Sequence, residues 1–390
     1  MLVSSFPDKR NRARGIFNYR FIKQLKELSE DVYVVFFRMW TPKRKIVSSY
    51  FYDQIKVTQI CLPLIPFNNY FSFKINNLIC RVFGWQILKK ELESSNIIHS
   101  VYLTNNGINA GIWARKLKIP HVAQAIGSDV NSDLKSIVQK KGDLKWISKI
   151  DGIISNSKDL EKSIKEYFPK FSEIETIYRG IKVDDLPTFT DLRNAGTTFL
   201  YLGGLEQNRS LQFGVNTKGG ITLMEAWKKV ESELFSLNTT LYFGGPGFDN
   251  KIIAKWKSSL KHPQMVHLIG KIDPDDVKKY LYKSNLSVVP SMEEGLPNFL
   301  MESYANGKAV IGSDAGGIPE VILNNETGYI FEKGNVEQLA ECLLKAAKNT
   351  EVINIMSKKA HERVKFLFNS DTYSFKVLKF YKKILDKCAE

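Results

Sequence analysis

The sequence predicts an α/β protein with two doubly wound domains that face one another across a cleft. Short apolar runs alternate with amphipathic segments of helix length, which is the pattern of βαβ units and parallel sheets. The predicted strands are 32–37, 97–103, 121–125, 152–155, 199–203, 241–244, 266–269, 286–289 and 309–312. The alternation stops over 183–198, a polar segment with a proline, which predicts an interdomain linker. A length of 390 residues suits about two to three domains.

Composition narrows the class of protein. The chain is 43% hydrophobic and 25% charged, as in an ordinary globular enzyme. The first 190 residues hold 30 Lys/Arg against 18 Asp/Glu, so most of the net charge of +15 lies there. This asymmetry points to a polyanion or an anionic membrane as partner of the first half. No zinc finger, basic zipper or RNP-type motif accompanies the charge, so we expect no nucleic-acid partner.

Cysteine and histidine usage predicts neither disulfides nor a metal site. Four cysteines are widely spaced, and five histidines form no ligand cluster. A reduced cytoplasm is the simplest compartment. The start of the chain turns charged by its eighth residue, unlike a signal peptide, and no apolar run reaches bilayer-spanning length.

The most informative stretch is 285–302. An apolar run of strand length is followed by a loop with Gly295, and then by helix formers from Asn298. Pro297 stands where the first residue of a helix tolerates proline. The stretch therefore predicts strand, sharp loop and helix, and the free N–H groups at the helix start make an anion site.

Two carboxylates flank this predicted site, with seven residues between them. Glu294 lies in the loop, and Glu302 falls roughly 7–8 Å along the helix axis beyond Pro297. Ionised carboxylates accept hydrogen bonds from sugar and ribose hydroxyls, so the pair suits a nucleotide-sugar. Taken singly, Glu294 could instead complement the helix dipole, and Glu302 could be a solvated helix residue.

A second glycine loop supports the ligand interpretation. Residues 308–312 read as the next strand, and Gly316-Gly317 then precedes a short helix that opens on Pro319-Glu320. Paired glycines allow a backbone to approach a ligand closely. One such loop is usually only a turn, whereas two on consecutive strands indicate a phosphate-binding edge.

The run PSMEEGLPNFLMESYANGKAVIGSDAGGIPEVILNNETGYIF resembles the donor-binding signature of the retaining glycosyltransferases of family 4, which have the GT-B architecture. The resemblance implies two Rossmann-like domains, with an acceptor-binding domain at 1–185 and a nucleotide-sugar donor domain at 197–369. The final helix, about 370–390, would pack back on the first domain. In that family the first glutamate contacts the transferred sugar and the second contacts the ribose, roles that would fall to Glu294 and Glu302.

The resemblance also implies a set of donor-binding residues. Lys218 would bind the diphosphate, and Arg209 could replace an arginine that relatives carry at the position of Gly204. The base pocket would lie at Lys271 and Ile272. The full expected set is Gly15, Gly204, Arg209, Lys218, Gly245, Lys271, Ile272, Glu294, Gly295, Leu296, Pro297, Asn298, Phe299, Glu302, Gly316 and Gly317. Neither a cofactor nor a metal is expected, because positive groups and helix ends stabilise the leaving phosphates.

Three features of the first half depart from the family or leave two interpretations open. Ile126 stands where many relatives have histidine, so Asp129 is the nearest candidate to assist the acceptor; capping the helix that follows is its alternative role. Arg10, Arg12 and Arg14 make the loop before Gly15 basic, either for an acceptor phosphate or as a solvated loop.

The segment 62–85 mixes aromatic residues with cations, which suits either a membrane interface or a helix buried in the first domain.

Altogether we expect a retaining hexosyltransferase that moves a sugar from a nucleoside-diphosphate donor to a glycan or lipid-linked acceptor in cell-surface polysaccharide synthesis. The catalytic set would be Glu294, Lys218 and Asp129. A nucleotide-sugar epimerase of the same fold and a basic nucleic-acid-binding protein are the alternatives.

Overall fold

A computed structural model describes residues 1–390 except 10, 13, 29, 67–69, 143, 184–195, 206–215, 246–250 and 390. The chain forms two compact domains. The first comprises Met1–Gly180 with Asp371–Glu390, and the second comprises Ile181–Ser370. Most of the predicted linker, 184–195, lies outside the described residues.

The first domain alternates strands and helices along the chain. Its elements are α1 (Ile16–Glu27), β1 (Val34–Met39), β2 (Val47–Tyr52), β3 (Ile55–Leu62), α2 (Tyr70–Glu93), β4 (Ile98–Val101), α3 (Asn105–Leu117), β5 (His121–Ala125), α4 (Lys135–Gln139), β6 (Gly152–Ser155), α5 (Lys158–Tyr167), β7 (Ile174–Thr176) and α13 (Ser370–Ala389). A π-helical turn, Asp129–Leu134, precedes α4, and a 3₁₀ turn spans Lys145–Lys149.

The chain start joins two groups of strands into the first-domain sheet. One group runs β2-β3-β1 and the other β4-β5-β6-β7. Residues 1–3 lie between them, because the Leu2 amide donates to the carbonyl of His99 (2.8 Å) and the Val3 amide to that of Val35 (2.9 Å). The sequence pattern missed the β2–β3 hairpin, whose turn holds Asp53 and Gln54 at positive φ. Such a turn has no glycine to reveal it.

Helix α13 completes the core of the first domain. Its Tyr373, Val377 and Phe380 are buried together with residues of α1, β5 and β6. A Cβ at Gly152 would lie 2.8 Å from the Phe380 ring, so a glycine in β6 lets the helix approach the sheet. The last helix of the chain therefore belongs to the first domain.

The second domain has a fully parallel sheet of six strands in the order β10-β9-β8-β11-β12-β13. Its elements are β8 (Thr198–Tyr201), α6 (Gly220–Ser236), β9 (Thr240–Gly244), α7 (Lys251–Ser258), β10 (Val266–Gly270), α8 (Pro274–Lys283), β11 (Leu286–Val289), α9 (Asn298–Ala305), β12 (Ala309–Ser313), α10 (Ile318–Val321), β13 (Gly328–Phe331), α11 (Val336–Lys348) and α12 (Thr350–Leu367). A 3₁₀ turn, Pro263–Met265, precedes β10.

The order of this sheet creates a switch point. From β8 the chain winds outward through β9 and β10, and then returns to place β11 on the other side of β8. Loops that leave β8 and β11 therefore diverge at the carboxyl edge of the sheet. In open α/β sheets this crevice is where ligands bind.

The predicted fold class, two doubly wound α/β domains with parallel sheets, is confirmed. The predicted strands 121–125, 152–155 and 286–289 match β5, β6 and β11, and the others differ by at most two residues at either end. Strands β2, β3, β7 and β13 were not among those predicted.

Candidate functional site at the switch point of the second sheet

The loop after β11 is held by its own side chains. The Ser291 hydroxyl donates to the Glu294 carboxylate at 3.1 Å, and the Lys218 ammonium donates to the same oxygen. The Glu294 side chain is only 11% exposed, whereas that of Lys218 is 49% exposed. The carboxylate is thus fixed in place, while the cation remains able to meet a ligand.

Lys218 reaches this carboxylate because the start of α6 lies against the loop after β11. Gly219 caps α6 with a φ of 71°, and a Cβ there would lie 1.6 Å from the Pro290 carbonyl oxygen. The Met292 amide also donates to the Thr217 carbonyl at 2.9 Å. Only glycine permits this contact, so the position of Lys218 depends on the residue beside it.

The two predicted glycine loops touch each other. Gly316 has a φ of 53°, and a Cβ there would lie 2.1 Å from the Glu294 carbonyl oxygen. The Gly317 amide donates to the Gly295 carbonyl at 2.8 Å. The loops after β11 and β12 therefore form one backbone surface beside Glu294.

Helix α9 begins at Asn298, as the sequence predicts, but Pro297 is its cap and not its first helical residue. Pro297 has an extended ψ of 123°, and no side chain caps the helix. Asn298 Oδ1 is buried and accepts no hydrogen bond from the described residues. Phe299 and Glu302, in the first and second turns, are half-buried. The helix start therefore offers unsatisfied polar groups at the carboxyl edge.

Tyr201 is a site residue that the sequence did not reveal. It ends β8, and its buried hydroxyl lies within hydrogen-bond distance of the carbonyls of Gly204 (2.9 Å) and Lys218 (3.2 Å), so its one proton is shared between them. Burial, together with the nearby Glu294 carboxylate, raises the pKa of Tyr201. A tyrosine in a buried strand looks like a core residue, so only its contacts identify it as the link between the β8 loop and α6.

The remaining predicted donor residues continue along this edge. Gly245, just after β9, has a φ of 123°, and a Cβ there would lie 2.4 Å from the Gly204 amide nitrogen. Its own amide donates to the Gly270 carbonyl at the end of β10 (2.8 Å), directly before Lys271 and Ile272. Lys271 is exposed and Ile272 half-buried. Gly295 and Leu296 are buried in the loop before α9.

Two predicted residues lie in the first domain, and a third, Arg209, lies outside the described residues. Gly15 belongs to the first domain, where it caps α1 with a φ of 67°; a Cβ there would lie 2.3 Å from the Ser5 carbonyl oxygen. Asp129 also lies in the first domain and is fully buried.

The structure shows contacts of the Asp129 carboxylate that neither predicted role includes. Its carboxylate accepts backbone N–H groups of Leu103 (2.7 Å), Ile126 (3.0 Å) and Gly127 (2.9 Å). These amides follow β4 and β5, so the side chain ties two loops together and does not reach solvent. Burial raises its pKa, which these three hydrogen bonds oppose. A buried carboxylate that accepts three amides holds both loops in position, and its assistance to the acceptor stays a prediction.

The described part of the chain lacks both a metal-binding cluster and a membrane-spanning helix. There, no group of three or more His, Cys, Asp or Glu side chains is arranged to hold a metal ion. Among the helices whose residues are placed, none combines the length and apolar character needed to cross a bilayer.

Comparison with known proteins shows which proteins the chain is similar to. Residues 213–363 match the family model of glycosyl transferases group 1. The chain is 27% identical over 300 residues to an uncharacterized glycosyltransferase of Methanocaldococcus jannaschii, covering 76% of this chain and 78% of that protein. The chain is a glycosyltransferase, and its similarity to group 1 covers residues 213–363.

Two further similarities place this glycosyltransferase in context. It is 25% identical over 297 residues to an Escherichia coli UDP-Gal:alpha-D-GlcNAc-diphosphoundecaprenol alpha-1,3-galactosyltransferase, covering 73% of this chain and 74% of that enzyme. Its fold is that of Anabaena HepE in complex with UDP, with a TM-score of 0.73, 15% identity, and coverage of 98% of each chain. The fold is therefore of the GT-B type.

Proposed function

We propose that the enzyme transfers a sugar from a nucleoside-diphosphate sugar, with retention of anomeric configuration, as the enzymes of family 4 do. The observation that carries the proposal is the pairing of Lys218 with a fixed Glu294 at the switch point of the second sheet. Glycine backbones line this place and two helices begin there, so a diphosphate would find amides and a cation together. HepE binds UDP, which supports the same class of donor.

The residues of the site would promote the reaction by stabilising charge. Departure of the nucleoside diphosphate leaves negative charge on its phosphates, which Lys218 and the amides at the start of α9 would stabilise. Glu294 would accept hydrogen bonds from sugar hydroxyls. We assign no enzymic nucleophile, no cofactor and no metal, because retention through attack on the same face lets the leaving phosphate take the acceptor's proton.

The acceptor is proposed to be a lipid-linked or growing glycan in polysaccharide assembly. The E. coli relative carries a diphosphoundecaprenol acceptor in its name, and the present chain aligns with 74% of its length. The base, the transferred sugar and the linkage are to be identified by experiment. A thermal-shift screen of nucleoside diphosphates and their sugars addresses the donor directly.

The substitution Glu294→Gln tests the site. We expect the turnover number to fall by about a hundredfold or more, as when an electrostatic group at a reacting centre is removed. Melts with the nucleoside diphosphate should still show stabilisation, since the lysine remains. Glu337→Gln, at an exposed acid of the same domain that pairs with Lys229, serves as the control. Full activity of Glu294→Gln would refute the assignment.

A peripheral position on the inner, anionic membrane face is favoured by one face of α2. Phe71, Leu78 and Val82 are exposed there at helical spacing, with Lys74 between them, and Phe71 is 70% exposed. Flotation on anionic liposomes at low salt should recover the wild type and lose Phe71→Ser. Phe366→Ser, at an exposed position of the second domain, is the control. Absence of wild-type flotation would exclude this surface.

A further inference from the structure

Three arginines gather at the carboxyl edge of the first-domain sheet. Arg14 precedes the glycine that caps α1, and its guanidinium lies 5.8 Å from the centre of the Phe36 ring of β1. Arg38 lies two positions after Phe36 on β1, and the two side chains share one face because side chains alternate along a strand. Arg44 comes from the segment after β1, where its guanidinium donates to the Met39 carbonyl at 2.9 Å.

Among the described residues, only part of the positive charge of this group is neutralised. Arg14 pairs with Asp8 at 2.6 Å, whereas Arg38 donates to the neutral Gln59 amide oxygen at 3.2 Å. Within the described part of the chain, neither Arg38 nor Arg44 lies within ion-pair distance of a carboxylate. Three guanidinium groups and one carboxylate leave two net positive charges in a half-buried setting.

Two observations indicate that the group is electrostatically unsatisfied. Burial lowers the pKa of Arg38, and the proximity of Arg14 and Arg44 lowers it further. Arg14 Nε is buried and donates no hydrogen bond to any described residue. Like charges held close together, and a buried donor without an acceptor, both destabilise the fold unless an anion binds there.

The location agrees with a ligand site. The loop that carries Asp8 and Arg14 leaves the strand-like residues 1–3, and Arg38 lies at the end of β1 beside them. Both are therefore at the carboxyl edge, where open α/β sheets bind ligands. The guanidinium fork also matches phosphate oxygens in a bidentate manner.

We propose that Arg14, Arg38 and Arg44 bind a phosphate or diphosphate group of the acceptor. This inference rests on the proposed function, whose acceptor class it makes specific. Two net positive charges match a phosphomonoester, with its charge of about −1.5 to −2, and equally a diphosphate diester. A sugar carboxylate carries half of that charge. The recognised group could belong to a lipid carrier or to a soluble phosphorylated glycan.

The first experiment measures binding of inorganic pyrophosphate to the full chain by calorimetry. Arg38→Gln and Arg44→Gln should each weaken binding at one site by about tenfold or more, since a charge-assisted contact is lost. Arg38→Lys, which keeps the charge but not the fork, should lie between Arg38→Gln and the wild type. Arg115→Gln, at an arginine of the same domain that pairs with Asp151, should bind as the wild type does.

The substitution Lys218→Gln distinguishes the donor site from the arginine site, because it should leave pyrophosphate binding at the arginines unchanged. Stabilisation by a nucleoside diphosphate should persist in Arg38→Gln. If no nucleotide stabilises any variant while pyrophosphate binding still depends on Arg38, the proposed function fails and the anion site stands. Equal weakening by Arg38→Gln and Arg115→Gln, or none by Arg38→Gln and Arg44→Gln, would overturn the anion site.

The second experiment identifies the source of the phosphate by kinetics. The same glycan is offered without phosphate, as a water-soluble alkyl diphosphate, and as a polyprenyl diphosphate in neutral vesicles. Arg38→Gln should raise KM for both phosphorylated acceptors by about tenfold while kcat changes little. Equal wild-type KM values for those two acceptors mark recognition of the phosphate alone, and a lower value in vesicles adds the lipid. No effect of phosphate on the wild-type KM would refute the proposal.

Discussion

Replacing Lys218 by glutamine separates ligand binding from fold stability. In the ligand-free protein Lys218 pairs with Glu294, but the lysine side chain is 49% exposed. Exposed ion pairs contribute about 0–1 kcal/mol, so Lys218→Gln should lower the free energy of unfolding by less than about 1 kcal/mol. A charge-assisted contact to a phosphate contributes about 1.5–3 kcal/mol. We therefore expect nucleoside-diphosphate affinity to fall by about tenfold to a hundredfold.

The matched control is Lys229→Gln. Lys229 also pairs with a glutamate of the second domain, Glu337, and its side chain is 51% exposed, almost as Lys218 is. This variant should change stability by a similar small amount and leave nucleotide affinity intact. Calorimetric titration and urea denaturation of both variants provide the two measurements.

Substitutions of the two paired residues should change nucleotide affinity in opposite directions. The Glu294 carboxylate competes with phosphates for Lys218 and repels them, so Glu294→Gln should tighten binding of the nucleoside diphosphate that lacks its sugar. Lys218→Gln should weaken it. If both variants bind the nucleotide as Lys229→Gln does, or if Lys218→Gln loses more than about 2 kcal/mol of stability, the reasoning is wrong.

Three further predictions concern stability, each measured by urea denaturation. Gly316→Ala should lower the free energy of unfolding by about 3 kcal/mol or more, because the strain of a positive φ adds to a clash with the Glu294 carbonyl. Gly334 also has a positive φ but faces only a flexible methionine side chain, so Gly334→Ala should cost about 1–2 kcal/mol. Equal costs for the two substitutions would contradict this reasoning. Burial lowers the pKa of Lys308 to about 8, so between pH 8 and 10.5 the unfolded state binds more protons than the folded state. The stability of the wild type should therefore rise with pH over this range relative to that of Lys308→Met. Parallel pH profiles of the two proteins would contradict this. Asp129→Asn should cost about 2–4 kcal/mol, because an amide N–H₂ then faces backbone donors; an unchanged fold with lost activity would instead favour a direct catalytic role.

Local patterns carried enough information for the loops of the second domain. The run from 285 to 302 contains an apolar strand, a glycine loop and a helix start, and each of these is encoded within a few residues. Strand β11 and the start of α9 lie where this pattern puts them. Glycine pairs such as Gly316-Gly317 signal close backbone approach whatever the partner. The spacing of Glu294 and Glu302 is likewise a property of the sequence.

Contacts between distant segments were beyond the reach of such patterns. Tyr201 resembles any buried strand aromatic until its hydroxyl is seen between the Gly204 and Lys218 carbonyls. Asp129 looked like a catalytic acid or a helix cap, and only the surrounding amides reveal that it joins two loops. Arg38 and Arg44 lie in unremarkable sequence, so their approach to Arg14 depends on how the first sheet is assembled.

By itself, the sequence determined the alternation of strands and helices, the doubly wound class, and which loops carry glycines, acids and cations, because these follow from periodicity and short-range chemistry. Only the tertiary structure decided that Lys218 meets Glu294 and that three arginines share one edge. Such encounters depend on strand order and on how closely a glycine such as Gly219 lets two backbones approach, and neither is written in any single stretch of the chain.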